Sequence, residues 1–400
     1  MDTDKTNSQV STLLSFFDRT FGGTEGVRVF TAPGRVNLIG EHIDYCGGFV
    51  FPAALTLGTY VAVRKNGTKD TVRLAATTID GVRTFTLGDI ESARNLDWGN
   101  YQAGVVKELT LLRVDIGGFD AAYLSTIPFG AGLSSSASIE VSTGLAVSEL
   151  FGSPLTGKDL ALAGQRAENR FCGVNCGIMD QFASAMGLAG HAILLDCASV
   201  THKYAPLDLG DSVLVLANTC KKHALGASKY NERRAEVATG LEEMNRIAKS
   251  HGNPEKPNLC AFNKAELLEY APEIANDIIR KRVMHVVSEN ERVKEAVTLL
   301  EHANLTAFGA LLRDANQSIR YLYEATGEEL DAIFDATLDF PGCIGSRMTG
   351  GGFGGCTVNI VKASAVEEFK KHVAALYTAK TGNIPEFYVC EIGDGARELV

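Results

Sequence analysis

The chain has 400 residues, a length that suits two domains better than one. Hydrophobic residues make up 45 % of it and charged residues 22 %, so it can bury a sizeable core without disulfide bonds. The net charge of −10 argues against nucleic acid or an anionic membrane as the main partner. Any attraction of an anionic ligand must therefore be local.

The first eight residues are polar and lack the apolar core of a signal peptide. The most apolar long stretch, 49–63, is broken by proline, glycine and threonine, so we expect no membrane span. The nine cysteines include no Cys-x-x-Cys pair. We therefore expect reduced thiols in a cytoplasmic protein.

The predicted elements change character along the chain. Segments rich in β-branched and aromatic residues predict strands at 27–31, 60–64, 72–77, 119–124, 191–196, 212–218, 356–361 and 386–392. Helical spacing predicts helices at 98–112, in broken form over 134–186, at 228–249, over much of 264–337 and at 363–380. Because strands and helices do not alternate regularly, this order predicts an α+β protein, with a domain boundary near residue 205.

The first notable segment, residues 33–45, follows a predicted strand and reads Pro-Gly-Arg-Val-Asn-Leu-Ile-Gly-Glu-His-Ile-Asp-Tyr. Five polar or charged side chains lie within ten residues, which is typical of a binding loop at the end of a strand. A solvated turn is an equally good interpretation from this segment alone. His42 and Asp44 have no further ligands at metal-binding spacing nearby, which disfavours a metal site.

The second segment, residues 128–137, reads Pro-Phe-Gly-Ala-Gly-Leu-Ser-Ser-Ser-Ala and runs from a strand into a helix. Glycines let backbone N–H groups turn toward an anion, and the new helix adds its positive end. Three consecutive serines exceed what a helix cap requires. We favour phosphate binding over an ordinary capped helix.

The third segment, residues 346–355, has five glycines in its last six positions and leads directly into a strand. A flexible linker is improbable there, so close backbone approach to a ligand or to another segment is the better interpretation. The match of residues 350–355 to G-x-G-x-x-G is rejected, because a dinucleotide fingerprint opens a helix. Residues 152–159 fail as a Walker A loop, because Asp159 stands where Ser or Thr is needed.

Two carboxylates complete the candidate site. Glu168 lies late in a predicted helix, and Asp180 lies where the next helix begins. An acid in a first helical turn is often only a partner of the helix dipole, worth about 0.3–1 kcal/mol. The apolar residues before Asp180 suggest a partly buried position instead.

Together these segments resemble the GHMP kinase superfamily and, within it, the galactokinase family. Residues 34–45 resemble the galactokinase signature, 128–137 the shared phosphate loop, 348–355 the shared third motif, and 228–234 a further galactokinase segment. The resemblance implies a two-domain GHMP kinase fold. Its N-terminal domain (1–205) would be like ribosomal protein S5, its C-terminal domain (206–400) ferredoxin-like, and the nucleotide would lie between them.

The resemblance also implies an activity, the ATP-dependent phosphorylation of the anomeric hydroxyl of galactose to galactose 1-phosphate, the first committed step of galactose catabolism. Asp180 matches the catalytic aspartate and Arg35 the arginine beside it, while Ser136 and Glu168 match Mg²⁺ ligands. The positions that match sugar contacts are Glu41, His42, Asp44 and Tyr230. The positions that match ATP contacts are Trp98, Tyr101, Gly130, Ala131, Gly132, Leu133, Ser134, Ser135, Ser136 and Ala137.

Ile43 and Cys46 depart from the usual signature, which has Thr and Asn there, so the preference among sugars stays open. N-acetylgalactosamine is one alternative substrate. A mevalonate-type kinase of the same superfamily is disfavoured by residues 41–44. A catalytically silent galactose sensor is a further alternative, disfavoured because Ser136 and Ala137 are present.

Overall fold

The structure, a computed structural model, describes residues 3–128, 130–221 and 226–400. Phe129 of the second glycine-rich segment thus lies outside the described residues. The helices are α1 (Thr3–Phe21), α2 (Gly99–Leu111), α3 (Ser135–Leu150), α4 (Gly157–Ala167), α5 (Met179–Met186), α6 (Gly226–Ser250), α7 (Lys264–Tyr270), α8 (Asp277–Glu301), α9 (Leu305–Ser318), α10 (Glu328–Leu338) and α11 (Val366–Thr381). The strands are β1 (Arg28–Asn37), β2 (Phe49–Val50), β3 (Pro52–Lys65), β4 (Thr71–Ala76), β5 (Ile79–Thr86), β6 (Phe119–Ser125), β7 (His191–Asp196), β8 (Thr201–Pro206), β9 (Ser212–Asn218), β10 (Cys343–Thr349), β11 (Cys356–Lys362), β12 (Glu386–Cys390) and β13 (Arg397–Glu398).

The first sheet has six strands in the order β13-β1-β3-β6-β4-β5. Neighbours are antiparallel except β4 and β6, which run parallel. Helix α3 packs on β1 and β3, and α2 packs on α3, which buries the apolar face of the sheet. The register of β1 against β3 shifts between Pro33 and Arg35. This bulge re-aims the side chain that follows it.

A second sheet of four antiparallel strands, β10-β11-β9-β12, carries the C-terminal part of the core. Its central strands are rich in Val, Leu and Ile, and α10 and α11 cover one face. A third sheet, β2-β7-β8, lies beside the first. The chain end then returns to the first sheet, because β13 pairs with β1. The boundary near residue 205, at the end of β8, stays a prediction.

The mixed helix and strand content confirms the predicted α+β class. Most predicted elements overlap observed ones, whereas α1, β2, β5, β8, β10 and β13 were not predicted. Strand β5 is mostly exposed, so its sequence lacks the alternation that marks a half-buried strand. Within the described ranges, none of the helices combines the length and apolarity needed to cross a membrane.

The fold brings four distant segments to one place. The end of β1, the loop before α3, the start of α5 and the turn between β10 and β11 meet there. Helix α5 is anchored on β1 by the Ser184 hydroxyl, which donates to the Pro33 carbonyl at 2.6 Å. The three glycine-rich segments of the sequence thus become neighbours.

Candidate active site

Asp180 and Arg35 form the centre of this meeting point. The guanidinium of Arg35 donates from Nε to Oδ1 of Asp180 at 2.9 Å and from Nη2 to Oδ2 at 2.8 Å. Such a two-point contact fixes the carboxylate in orientation as well as position. Arg35 is almost fully buried, whereas the Asp180 side chain keeps 29 % of its exposure and reaches a cavity. The partial burial predicted for Asp180 is therefore confirmed.

The predicted phosphate loop lies against this ion pair. The Ser134 hydroxyl donates to Oδ2 of Asp180 at 2.5 Å, and Nη1 of Arg35 donates to the Gly132 carbonyl at 2.8 Å. Gly132 has a φ of +70°, a conformation that favours glycine. Helix α3 begins at Ser135, so the N–H groups of its first turn lie beside this loop. The predicted course of this segment, from a strand into a helix, is confirmed.

A cavity opens beside Asp180. Its lining residues are Arg35, His42, Asp44, Cys176, Gly177, Met179, Asp180, Tyr230, Gly350 and Gly351. Five of these were singled out from the sequence, and the structure brings them together around one space. Side chains that offer carboxylate, phenol and imidazole groups suit a neutral, hydroxyl-rich ligand.

Asp44 depends on a glycine that faces it. A Cβ atom on Gly177 would lie 1.9 Å from Oδ2 of Asp44, so only glycine leaves room for this carboxylate. Burial raises the pKa of Asp44 to about 6, and the charge of Asp180 acts in the same direction. The arginines Arg234 and Arg35 oppose that shift.

His42 lines the cavity in an unusual backbone conformation, with a φ of +62°. Its Nδ1 lies 2.6 Å from the Tyr45 hydroxyl and its Nε2 lies 3.1 Å from the Gly351 carbonyl. Burial lowers the pKa of His42 to about 3, so the ring is neutral. Both nitrogens thus have protein partners.

Glu41 is placed differently from the other predicted sugar contacts. Its carboxylate is buried against the Arg347 guanidinium and accepts a hydrogen bond of 3.2 Å from the Gly350 N–H. Burial raises the pKa of Glu41 to about 7, while Arg347 acts against that shift. Glu41 contributes nothing to the cavity wall described above. Its direct contact with a sugar stays a prediction, whereas its contact with the turn at Gly350 is observed.

The two predicted Mg²⁺ ligands lie in a buried acidic group. Gln181 donates to Glu168 at 2.7 Å and to Glu140 at 2.9 Å. Burial raises the pKa of Glu168 to about 7 and Asp180 adds to the shift, while hydrogen bonds from Cys176, Ser136 and Gln181 oppose it. Two neighbouring carboxylates that are removed from water repel each other, and a bound divalent cation reduces that repulsion. The Ser136 hydroxyl donates a hydrogen bond to Glu168, and the role of this pair as Mg²⁺ ligands stays a prediction.

No group of three or more His, Cys, Asp or Glu side chains that could hold a metal is present in residues 3–128, 130–221 and 226–400. The predicted Mg²⁺ ligands are one hydroxyl, from Ser136, and one carboxylate, from Glu168. That sparse oxygen set fits Mg²⁺, which keeps several waters and takes its other ligands from substrate phosphates.

Trp98 and Tyr101 lie at the start of α2. Trp98 packs edge-on against Tyr123, with ring centroids 5.8 Å apart, and its buried Nε1–H has no acceptor in the described part of the chain. Burial raises the pKa of the Tyr101 hydroxyl, and the charge of Glu168 adds more to this shift than that of Glu140. Tyr101 therefore lies near the phosphate side of the site, whereas contact of either ring with adenine stays a prediction.

Several residues of the site were not among the individual site residues predicted from the sequence. Cys176, Gly177 and Met179 precede Asp180 and line the cavity, and Gly350 and Gly351 form its opposite wall. Residues 176–179 could have been found from the sequence because they adjoin Asp180. Gly350 and Gly351 could have been found because they belong to a run of glycines. Tyr323, whose hydroxyl lies 2.8 Å from that of Tyr45, gave no signal.

Comparison with known families agrees with this geometry. Residues 15–65 match the galactokinase galactose-binding signature. Residues 100–188 match the N-terminal domain of GHMP kinases, and residues 265–379 match their C-terminal domain. The first match contains Arg35 and the loop to Tyr45, and the second contains the phosphate loop, Glu168 and Asp180.

Whole proteins are similar over nearly the full length. A galactokinase from Clostridium tetani is 45 % identical over 398 residues, 99 % of each chain, and one from Bacillus subtilis is 42 % identical over 97 % of this chain and 98 % of its own. The crystal structure of Lactococcus lactis galactokinase complexed with galactose matches with a TM-score of 0.92 at 37 % identity, over 98 % of this chain and 100 % of that one. A mevalonate kinase structure, 19 % identical with a TM-score of 0.62, shares the fold over 91 % of this chain and 98 % of its own. The predicted GHMP kinase fold is thus confirmed, and the chain belongs to the galactokinase family.

Proposed function

We propose that this chain transfers the γ-phosphoryl group of ATP to the anomeric hydroxyl of galactose and releases galactose 1-phosphate and ADP. One observation carries the proposal. The carboxylate of Asp180 is held by Arg35 and Ser134 between a hydroxyl-binding cavity and a glycine-rich loop. A group in that position touches both the sugar that donates a proton and the phosphate that the sugar attacks.

The sugar is bound by hydrogen bonds, because it carries no charge. Asp44 accepts from a sugar hydroxyl, and Tyr230 adds a phenol that both donates and accepts. A site built in this way rejects analogues that leave one of its buried groups unpaired. Sugar choice therefore depends on Asp44, Tyr230 and the walls that hold them.

Asp180 receives the proton as the anomeric oxygen attacks phosphorus. Phosphoryl transfer has a loose transition state, so alignment of the hydroxyl and stabilisation of charge carry most of the catalysis. Arg35 fixes the orientation of the Asp180 carboxylate beside the cavity through hydrogen bonds to both of its oxygens. The loop 130–137 and the first turn of α3 bind the phosphates through backbone N–H groups.

Ser136 and Glu168 would hold Mg²⁺ together with phosphate oxygens. Bound there, Mg²⁺ would supply positive charge against the β- and γ-phosphates and so help an acidic protein to bind a polyphosphate. The adjoining pair of carboxylates, Glu140 and Glu168, gives that ion a favourable electrostatic environment.

A coupled assay of ADP release tests the proposal. The purified chain is given ATP, Mg²⁺ and a panel of galactose, glucose, N-acetylgalactosamine and mevalonate, with calorimetric binding of each substrate measured in parallel. We expect turnover with galactose, and phosphate on its anomeric oxygen by ³¹P and ¹³C NMR.

Two results would overturn the proposal in different ways. Binding of galactose and ATP without turnover would make the chain a sensor. Faster turnover of N-acetylgalactosamine or mevalonate than of galactose would show that the chain is a kinase with a different substrate.

A further inference from the structure

A row of side chains behind the sugar cavity joins the C-terminal part of the chain to the cavity wall. The Tyr323 hydroxyl lies 2.8 Å from the Tyr45 hydroxyl, which lies 2.6 Å from Nδ1 of His42. Nε2 of His42 lies 3.1 Å from the Gly351 carbonyl. Four residues, separated by up to 309 positions in sequence, thus form one hydrogen-bonded chain. We call it the Tyr323–Gly351 relay.

The chemistry of the last member fixes the direction of every bond in the relay. The Gly351 carbonyl can only accept, so Nε2 of His42 carries the proton. In a neutral ring Nδ1 must then accept, so the Tyr45 hydroxyl donates to it. The Tyr45 oxygen in turn accepts the proton of the Tyr323 hydroxyl. All donors therefore point from Tyr323 toward Gly351.

His42 and Tyr323 are the buried members of the relay, while Tyr45 is half-buried and Gly351 lies at the surface. His42 is 4 % exposed and Tyr323 is 0 % exposed. The Tyr323 ring lies between two imidazoles, with centroids 4.8 Å from His42 and 4.6 Å from His285. A charged His42 would be unpaired in this setting, and burial favours the neutral ring.

The relay ends on two walls of the sugar cavity. Gly351 is one of them, and the Tyr230 ring, 5.4 Å from that of His42, is another. A Cβ added to Gly351 would reach the Tyr230 ring at 3.7 Å, so the two walls are neighbours with no side chain between them. The position of the His42 ring therefore sets the spacing of both.

We propose that Tyr323 and Tyr45 are positioning residues for the sugar site, which lock His42 in its Nε2–H tautomer and thereby hold Gly351 and Tyr230 at the spacing that galactose requires. His42 then acts as a wall, since both of its ring nitrogens are engaged within the protein. The inference rests on the proposed function only in using galactose as the probe.

The tautomer itself can be measured without substrate. In protein labelled with ¹⁵N-histidine, a ¹H–¹⁵N correlation distinguishes protonated from unprotonated ring nitrogens, and a His42→Gln variant assigns the signal among the eight histidines. We expect the proton of His42 on Nε2 from pH 6 to 9. A proton on Nδ1, or a mixture of tautomers, would overturn the inference.

The consequence for binding is tested with Tyr323→Phe, which keeps the stacked ring and removes one hydroxyl. The loss of one buried hydrogen bond predicts a rise of about three- to tenfold in KM and Kd for galactose. We expect kcat and KM for ATP to stay within about twofold, because the relay touches neither Asp180 nor the phosphate loop. A merely structural tyrosine would lower stability without this split.

Tyr270→Phe is the matched control. Tyr270 is also buried beside a histidine, and its hydroxyl accepts from Asn253 at 2.7 Å, outside the site. An equal rise in KM for galactose in both variants would overturn the positioning role. So would an unchanged KM in Tyr323→Phe.

The order of the relay gives a second readout. Tyr45→Phe removes the donor to Nδ1, so we expect a larger rise in KM than in Tyr323→Phe and a mixture of His42 tautomers by NMR. Tyr323→Phe should add almost nothing in the Tyr45→Phe background, because its partner is already lost. Additive effects would overturn the relay. Failure of the parent to bind or phosphorylate galactose would count against the proposed function instead, and the tautomer measurement would still decide the inference.

Discussion

The two halves of the site are built in opposite ways. On the sugar side, the loop 38–45 is almost wholly buried, and its residues are held by His285 of α8, Arg347 of β10 and Tyr323 of the turn that follows α9. On the phosphate side, most residues of the loop 130–136 are exposed or half-buried, and the loop turns through positive φ at Gly130, Gly132 and Ser134. In the proposed function, side chains already in place bind the neutral sugar, whereas backbone N–H groups turned toward the ligand bind the anionic phosphates.

This difference follows from the ligands. A sugar hydroxyl gains little from long-range charge, so its partners must be in place before it arrives. A phosphate group is attracted electrostatically over a longer range to exposed backbone N–H groups. The phosphate loop can therefore remain accessible to solvent. Asp180 lies where the two halves meet. Substitutions at Asp180, on the phosphate side and on the sugar side should therefore change kcat, ATP binding and galactose binding separately.

The largest effect is expected at the meeting point. Asp180→Asn keeps the shape of the side chain but removes the proton acceptor, so kcat should fall by at least about 10² while both KM values change far less. Asp159→Asn is the matched control, since Asp159 also lies in a first helical turn, at the start of α4. A kcat within about tenfold of the parent would leave Asp180 as a helix-end partner only.

A second variant breaks the phosphate side alone. Gly132→Val forces a β-branched residue to a φ of +70° beside Gly355, so KM for ATP should rise by about 30-fold or more while galactose still binds. Gly152→Val imposes the same φ of +70° in open space and serves as the control. Normal ATP binding by Gly132→Val would remove this loop from the nucleotide site.

A third variant breaks the sugar side alone. The methyl group of Gly177→Ala would lie 1.9 Å from Oδ2 of Asp44, so the carboxylate must move out of place. We expect about a tenfold rise in Kd for galactose, the loss of one charged hydrogen bond, with ATP binding unchanged. Gly88→Ala, where no atom lies within 4 Å of the added group, controls for the substitution itself. Equal losses for both ligands would mean that Gly177 matters for folding instead.

The same contrast explains what the sequence could predict. The phosphate loop is contiguous, so its glycines and serines, its strand before and its helix after were all visible in one segment. The N-terminal helix α1 was also visible in principle, because Val10, Leu13, Leu14 and Phe17 have helical spacing and pack on the first sheet. It was missed because its first residues are polar.

The sugar side could be predicted only through family resemblance. Glu41 is held by Arg347 and Gly350, and Tyr45 by Tyr323, and each partner comes from a distant part of the chain. Local pattern carries no information on such pairings, because they depend on how β10 and α8 pack after folding. For the same reason nothing in the sequence indicated that both nitrogens of His42 are already engaged.

The smallest expected effect is the pH dependence of galactose binding, which distinguishes the contribution of Asp44 from that of Glu41. With its pKa raised to about 6 by burial, the Asp44 carboxylate is ionised above pH 7 and is protonated as pH falls through 6, which removes the acceptor that we propose for a galactose hydroxyl. Kd for galactose, measured by calorimetry without nucleotide, should therefore double near pH 6 and rise about tenfold near pH 5. Asp44→Asn should bind weakly and abolish this dependence.

A step near pH 7 that persists in Asp44→Asn would belong to Glu41, whose pKa burial raises to about 7. Such a step would mean that the contact between Glu41 and Arg347 controls sugar binding more than Asp44 does, while a flat profile in the parent would show that neither carboxylate binds galactose in its charged form.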